Sequence, residues 1–154
     1  MTDLRRLSRD TLPPLLDLAV RPDQTRFVAP NAETMAESMF EPSAELYGIW
    51  DGETPVGMIA VVDMSHPEQK LEAGDDPESL FIWRLMVDAG HQKRGHGTAA
   101  VTFAFDLARK KRLKRVGVSS IDAEGCAVPF YEALGFRRTG RVIDREVELV
   151  YQLG

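Results

Sequence analysis

The segment LFIWRLMV at Leu80–Val87, followed by DAGHQKRGHGT at Asp88–Thr98, decides the fold of this chain. An apolar run of strand length leads into a polar, cationic and glycine-rich turn, and Ala99–Arg109 continues as a mostly apolar, helix-forming segment. The stretch predicts a strand, a loop and a helix, with the loop delivered onto the helix N-terminus. Unpaired backbone N–H groups and the helix dipole favour an anion there, so the sequence predicts a phosphate or pyrophosphate ligand.

Three interpretations of this loop compete. The Gly-x4-Gly-Lys-Ser/Thr run of a P-loop is absent. Gly95–Ala100, GHGTAA, fits the dinucleotide pattern Gly-x-Gly-x-x-Gly/Ala, but Asp88–Arg94 separates its first glycine from the strand end, where that fingerprint needs it. The third pattern is Gln92-x-x-Gly95-x-Gly97, whose glycines let the backbone approach a bulky anion closely. An ordinary glycine-rich turn between a strand and a helix is the alternative to all three.

A second motif, AVPFYEALGF, follows at Ala127–Phe136. By itself it is typical of a core tyrosine on a helix that ends at a C-cap glycine, Gly135. A strand-like segment, Arg115–Ile121, lies between the two motifs. In this order, the Gln92 loop and the Tyr131 helix resemble the two signatures of the GCN5-related N-acetyltransferase (GNAT) family, which binds acetyl-coenzyme A.

The order of elements along the chain agrees with this resemblance. It reads β-α-α-β-β-β-α-β-α-β-β, which predicts an α/β (α+β) fold with a mixed sheet of six to seven strands and helices on both faces. Residues 1–154 are expected to form one domain, since no linker or repeat interrupts them. Asn31 is expected to cap the second helix. The predicted strands are 3–7, 46–50, 56–63, 80–87, 115–121, 136–142 and 146–153, and the predicted helices are 12–20, 32–40, 99–109 and 125–134.

The resemblance implies roles for individual residues. The backbone of Leu85–Val87 would run along the pantetheine arm, and an N–H near Val87 would hold the oxyanion. Tyr131 would be the general acid for the thiolate. The backbone of Lys93–Thr98 would wrap the pyrophosphate, and the side chains of Gln92 and Arg94 would support it. The cofactor-binding residues that follow are Leu85, Met86, Val87, Gln92, Lys93, Arg94, Gly95, His96, Gly97, Thr98 and Glu124.

The general base is where the chain departs from part of the family. Some polyamine acetyltransferases carry a glutamate on the central strand at the position of Trp83, and tryptophan cannot take a proton. The amine would then lose its proton to another carboxylate or to a water chain, or it would bind in its scarce neutral form. Glu78 and Asp76, just before the strand, are the candidate carboxylates. They belong to the acidic loop Met64–Ser79, which is expected either to be solvated or to face the substrate entrance. Glu124 stands where the family usually has an asparagine.

Composition limits the other classes of function. The chain of 154 residues carries a net charge of −5, which argues against nucleic-acid binding. No apolar run is long enough to span a membrane, and no signal-peptide core follows the N-terminus. Cys126 is the single cysteine, which agrees with the cytoplasm and, with three scattered histidines, predicts no metal site. His91 and His96 are expected to be solvated.

A narrower resemblance concerns the substrate. Phe27–Ala32, Glu41-Pro42 and Trp83–Asp88 are similar to segments of the bacterial spermine/spermidine (diamine) acetyltransferases. The expected function is therefore acetyl transfer from acetyl-CoA to a primary amine of a small molecule, with a polyamine or diamine favoured. The alternatives are another amine (aminoglycoside, amino acid or protein amine), an acyl-CoA-binding sensor without turnover, and a nucleotide-binding module. Family members are often dimers, so a homodimer is an open expectation.

Overall fold

One mixed sheet of seven strands organises the computed structural model, which describes residues 1–154. The strand order is β1-β2-β3-β4-β5-β7-β6, and β4 and β5 form its parallel pair while the other neighbours are antiparallel. The predicted fold and element order are confirmed. The strands are β1 Thr2–Arg6, β2 Ala44–Asp51, β3 Thr54–Asp63, β4 Ser79–Val87, β5 Arg115–Ile121, β6 Arg137–Ile143 and β7 Glu146–Gln152.

Helices cover both faces of this sheet. They are α1 Leu12–Leu15, α2 Asn31–Glu37, α3 His96–Lys110 and α4 Val128–Ala133, and short 3-10 turns lie at Pro22–Gln24, Ser38–Phe40 and Ala89–His91. On one face, α3 and α4 pack into the larger core cluster, for example through Val101 and Tyr131. On the opposite face, α1 and α2 pack into a smaller cluster through Leu15 and Met35. None of the helices has the length and apolar character that a membrane crossing requires.

Helix α3 begins three residues earlier than predicted. Gly95 precedes it with φ of 85°, a left-handed conformation that suits glycine, and its carbonyl accepts the N–H of Ala99 at 3.0 Å. Gly97 and Thr98 therefore belong to the first turn of the helix and not to the loop. The helix is buried along Ala100, Val101, Ala104 and Ala108, as its apolar sequence predicts.

Helix α1 is shorter than the predicted segment 12–20. The backbone N–H of Ala19 donates to the Asp88 carboxylate at 2.9 Å, and the Ala19 carbonyl accepts from the N–H of Ala89 at 2.8 Å. These bonds to the end of β4 replace the helical ones that the segment would otherwise make. The chain after Leu16 is therefore held along the central strand.

The predicted cap at Asn31 is wrong. Pro30 occupies the N-cap position of α2, and Asn31 is the first helical residue. The Asn31 side chain is buried and donates from Nδ2 to the carbonyl of Leu15 at 2.9 Å, with Met86 Sδ at 3.7 Å. The Asn31 side-chain amide thus makes a tertiary hydrogen bond and not a local cap. Asn31 connects α1, α2 and the central strand.

We expect Asn31→Ala to lower the free energy of unfolding by about 1–3 kcal/mol, because the Leu15 carbonyl loses its shorter hydrogen bond and keeps only the one from the Leu18 N–H at 3.3 Å. Urea denaturation followed by circular dichroism measures the change. Glu33→Gln, on the exposed side of the same helix, is the control and should shift stability by less than about 0.5 kcal/mol. An equal effect of both variants would show that Asn31 has no special connecting role.

Candidate active site

A bulge in the central strand determines where side chains project. The pairing of β3 with β4 shifts register so that Trp83 has no partner on β3. Before the bulge, Ile82 belongs to the core under α3, and after it Met86, four residues later, belongs to the core under α1. Trp83 and Arg84 both project towards the α1 and α2 face, where the Arg84 guanidinium lies 4.8 Å from the centre of the Trp83 ring.

Beyond the bulge, β4 and β5 separate. Their parallel pairing covers only Ser79–Ile82 with Arg115–Val118. A cavity of about 710 Å³, here called the splay cavity, lies beside the separated strand ends. Its wall includes the predicted cofactor-binding residues Leu85, Met86, Val87, Gln92, Lys93, Gly95, His96, Gly97 and Thr98, together with Tyr131. The structure therefore brings most of the predicted site to one place.

The glycine-rich loop presents unpaired backbone donors. Lys93 and Gly95 have φ of 63° and 85°, which turns the chain sharply before α3. The N–H groups of residues 93–98 make no hydrogen bond within the chain. Free N–H groups at the start of a helix are suited to bind phosphate oxygens, because the helix dipole adds partial positive charge. This geometry fits the pyrophosphate that the sequence predicts.

The side chain of Gln92 serves the loop itself. Its Nε2 donates to the carbonyl of Val87 at 3.0 Å and to Gln24 Oε1 at 2.7 Å, and its Oε1 accepts from Arg21 at 3.1 Å. These bonds tie the loop to the end of β4 and to the Pro22–Gln24 turn. The Gln92 amide is thus committed to protein contacts, and Arg94 is not among the residues that line the cavity.

The expectation of a solvated His96 is wrong. His96 is only 5% exposed, its Nδ1 lies 2.8 Å from the hydroxyl of Thr2, and its Nε2 is buried without a partner. His91 lines the splay cavity, and its Nδ1 is also buried without a partner. The partner of His96, Thr2, lies at the start of β1, a proximity that the sequence does not reveal.

Tyr131 is held firmly at the cavity wall. Its ring packs edge-on against Phe130 and Phe136, with ring centres 5.0 and 5.3 Å apart. Gly135, two residues after the end of α4, has φ of 103°, and the N–H of Phe136 donates to the Tyr131 carbonyl at 3.1 Å. Burial raises the pKa of the Tyr131 phenol, since ionisation would leave an anion in an apolar setting. The phenol is therefore protonated at neutral pH.

Glu78 and Glu124 do not reach the splay cavity. The Glu78 carboxylate contacts Lys114 at 3.0 Å and Arg115 at 3.2 Å, and the hydrogen bond from Lys114 lowers its pKa. Glu124 offers its backbone carbonyl to Arg26. Because β4 begins at the far end from the loop, a residue that precedes the strand lies away from the cavity. The geometry gives Glu78 no role as a base there.

Sequence reasoning missed Glu146. It is the only aspartate or glutamate that lines the splay cavity, and its Oε1 accepts a hydrogen bond from Ser119 Oγ at 3.3 Å. Glu146 is the first residue of β7. This strand pairs with the edge of β5 that faces away from β4, and Glu146 lies opposite Ile121 there. No local signal in the sequence marks this position, because only the pairing of β5 with β7 brings the carboxylate to the cavity.

A second cavity, of about 490 Å³, adjoins the first. We call it the acidic cavity because six carboxylate residues line it against two cationic ones, Lys70 and Arg115. Phe81 and Trp83 line both cavities. The six carboxylate residues are Glu41, Glu72, Asp75, Asp76, Asp144 and Glu148.

Half of these carboxylates have no cationic partner. Asp76 pairs with Arg115, whose hydrogen bond lowers the Asp76 pKa, and Arg141 pairs with Asp75 and Glu148 at 3.0 and 3.2 Å. The other three, Glu41, Glu72 and Asp144, form no ion pair. No group of three or more His, Cys, Asp or Glu side chains is arranged to hold a metal ion.

The model of the acetyltransferase (GNAT) family matches residues 4–136. The chain belongs to this family. Membership confirms the expected class of enzyme, an acetyltransferase. A comparison with curated proteins finds no matching sequence.

Solved structures share the fold at low sequence identity. A GNAT family acetyltransferase from Elizabethkingia anophelis, with acetyl-CoA bound, is 18% identical, with a TM-score of 0.70 and coverage of 99% of this chain and 98% of that one. An acetyltransferase from Bacillus subtilis in complex with CoA is 18% identical, with a TM-score of 0.69 and the same coverage. The ribosomal-protein-S18-alanine N-acetyltransferase from Escherichia coli is 17% identical, with a TM-score of 0.67 and coverage of 100% and 95%.

We expect Gly97→Asp to abolish binding of coenzyme A, because it adds negative charge at the phosphate-facing turn and a Cβ 3.3 Å from the Phe130 ring. Isothermal titration calorimetry with coenzyme A measures the loss. Thr102→Asp places the same charge on the exposed side of the same helix and should bind as the wild type does. Normal binding by Gly97→Asp would mean that the phosphate loop is wrongly assigned.

Proposed function

We propose that residues 1–154 form a single domain that transfers the acetyl group of acetyl-CoA to a primary amine of a small molecule, with a polyamine or diamine favoured. One observation carries the proposal. The splay cavity, which has free backbone donors at one end, shares Phe81 and Trp83 with an acidic cavity. An acetyl donor in the first and a cationic acceptor in the second meet at these two aromatic side chains.

The acetyl donor is assigned to the splay cavity. The N–H groups of Lys93–Thr98 bind its pyrophosphate, and the separated edge of β4 at Leu85–Val87 offers backbone groups to the pantetheine arm. An N–H near Val87 serves the carbonyl oxygen of the acetyl group; one preorganised donor of this kind is typically worth about 3 kcal/mol. The complex of the Elizabethkingia anophelis enzyme with acetyl-CoA supports this assignment by its shared fold.

The acceptor is assigned to the acidic cavity because of its charge. An amine with a pKa of about 10.4 is an ammonium ion at neutral pH, and free carboxylates attract it. Glu72 and Asp144 lie on the 64–79 loop and on the β6–β7 turn, so they can meet cationic centres that are several ångströms apart. A chain with more than one ammonium group uses such a surface better than a monoamine does.

Release of coenzyme A with a panel of amines tests the function. Spermine, spermidine and putrescine should trigger release from acetyl-CoA, whereas a simple monoamine, and lysine with its repelled carboxylate, should trigger less. No release with any amine would leave a binding protein and contradict the proposal.

The double variant Glu72→Gln, Asp144→Asn should raise the KM for spermidine about three- to tenfold, since two attractive charges are lost. The KM for acetyl-CoA should not change. Glu68→Gln is the control, because it removes a charge from the same loop outside the cavity. An equal rise in KM for spermidine and for a monoamine would argue against charge recognition.

Tyr131→Phe should lower kcat about 10²-fold, because it removes the proton donor for the leaving thiolate. The affinity for acetyl-CoA, measured by calorimetry, should stay within about twofold, since the ring that packs in the core is kept. Tyr151→Phe is the matched control, because that phenol stacks on Phe105 in the core and does not line the cavity. Unchanged kcat in Tyr131→Phe would remove Tyr131 from the mechanism.

A further inference from the structure

We infer that Glu146 is the general base that takes the proton from the acceptor amine. The inference rests on the proposed function, since it concerns the same site. The central strand supplies no proton acceptor, because Trp83 cannot accept a proton. Glu78 and Asp76, which precede the strand, are paired with Arg115 outside the splay cavity. The cavity wall nevertheless contains one carboxylate, Glu146.

Strand alternation shows which way this carboxylate projects. On β7, Val147 and Leu149 pack in the core under α3, so the even-numbered residues project to the opposite face. Glu148 and Val150 line the acidic cavity on that face, and Glu146 is the next even position towards the splay cavity. The side chain therefore projects into the splay cavity from the face of β7 that also lines the acidic cavity.

The neighbouring groups leave Glu146 free to take a proton. Its hydrogen bond from Ser119 Oγ, at 3.3 Å, orients the carboxylate but does not neutralise it, and no cation forms an ion pair with it. On the same strand, Glu148 is held by Arg141 at 3.2 Å. The other titratable side chains of the cavity wall are Arg84, His91, Lys93, His96, Cys126 and Tyr131.

The proton balance of the reaction is complete with these residues. Glu146 takes one proton from the ammonium and passes it to solvent, and the neutral nitrogen then bonds to the acetyl carbon. The carbon–sulfur bond breaks, and the sulfur takes the Tyr131 proton. The nitrogen, now bonded to the acetyl carbon, loses its extra proton, and this proton restores the Tyr131 phenol. The products are the acetylated amine, coenzyme A and one released proton.

The pH dependence of Glu146→Gln separates a base from a merely structural residue. At about pH 7, where almost all of the amine is protonated, kcat should fall about 100-fold. Near pH 9.5 an appreciable fraction of the amine is neutral in solution, so the deficit should shrink to less than about tenfold. Tyr131 stays protonated over this range because burial raises its pKa. Loss of thioester absorbance with saturating spermidine follows the rates.

Two controls accompany this experiment. Calorimetry should show that Glu146→Gln binds acetyl-CoA as the wild type does, which excludes misfolding. Glu132→Gln removes an exposed carboxylate beside Tyr131 that does not line the cavity, and it should keep the wild-type rate at every pH. Glu146→Asp, which keeps the carboxylate, should recover part of the rate at pH about 7.

Three outcomes overturn the inference while the proposed function stands. They are an unchanged kcat, a deficit of equal size at all pH values, and a raised KM for the amine with normal kcat, which would make Glu146 a binding residue. If the wild type itself releases no coenzyme A with any amine, the proposed function fails and the inference with it.

Discussion

The site depends on the point at which β4 and β5 stop pairing, partway along the two strands. The two parallel strands pair as far as Ile82 and Val118 and then diverge, because the bulge at Trp83 bends β4 while β5 remains paired with β7. The backbone of β4 beyond this point has a partner on the β3 side only. An unpaired edge of this kind leaves backbone groups without partners, and a ligand that lies between the strands can supply them.

The same bulge relates the two faces of the sheet. The loop before α3 and Tyr131 on α4 approach the cavity from one face, whereas Trp83, Arg84 and the even-numbered residues of β7 approach it from the other. In the proposed function, the acetyl donor belongs to the first face and the cationic acceptor to the second. The reaction would thus take place where β4 and β5 separate, because groups from both faces of the sheet meet there.

Several hydrogen bonds that the sequence assigns to local or ligand contacts are used for tertiary ones. Asn31 bonds the carbonyl of Leu15 and does not cap its helix, and Gln92 clamps the loop. Asp88, to which the sequence assigns no contact, accepts a hydrogen bond from the N–H of Ala19 after α1. A short polar side chain bonds whichever partner the fold brings near, and that choice cannot be deduced from sequence spacing. These contacts stabilise the walls of the cavity.

By itself, the sequence determined the order of strands and helices, the glycine-rich loop at a helix N-terminus and the position of Tyr131 before Gly135. These features depend on local periodicity and on backbone conformations that few residues adopt, so a short stretch specifies them. Only the tertiary structure decided that Glu78 lies outside the cavity and that Glu146 lies within it. The reason is that a strand pairing between residues distant in the chain, together with a one-residue bulge, sets which carboxylate reaches the site.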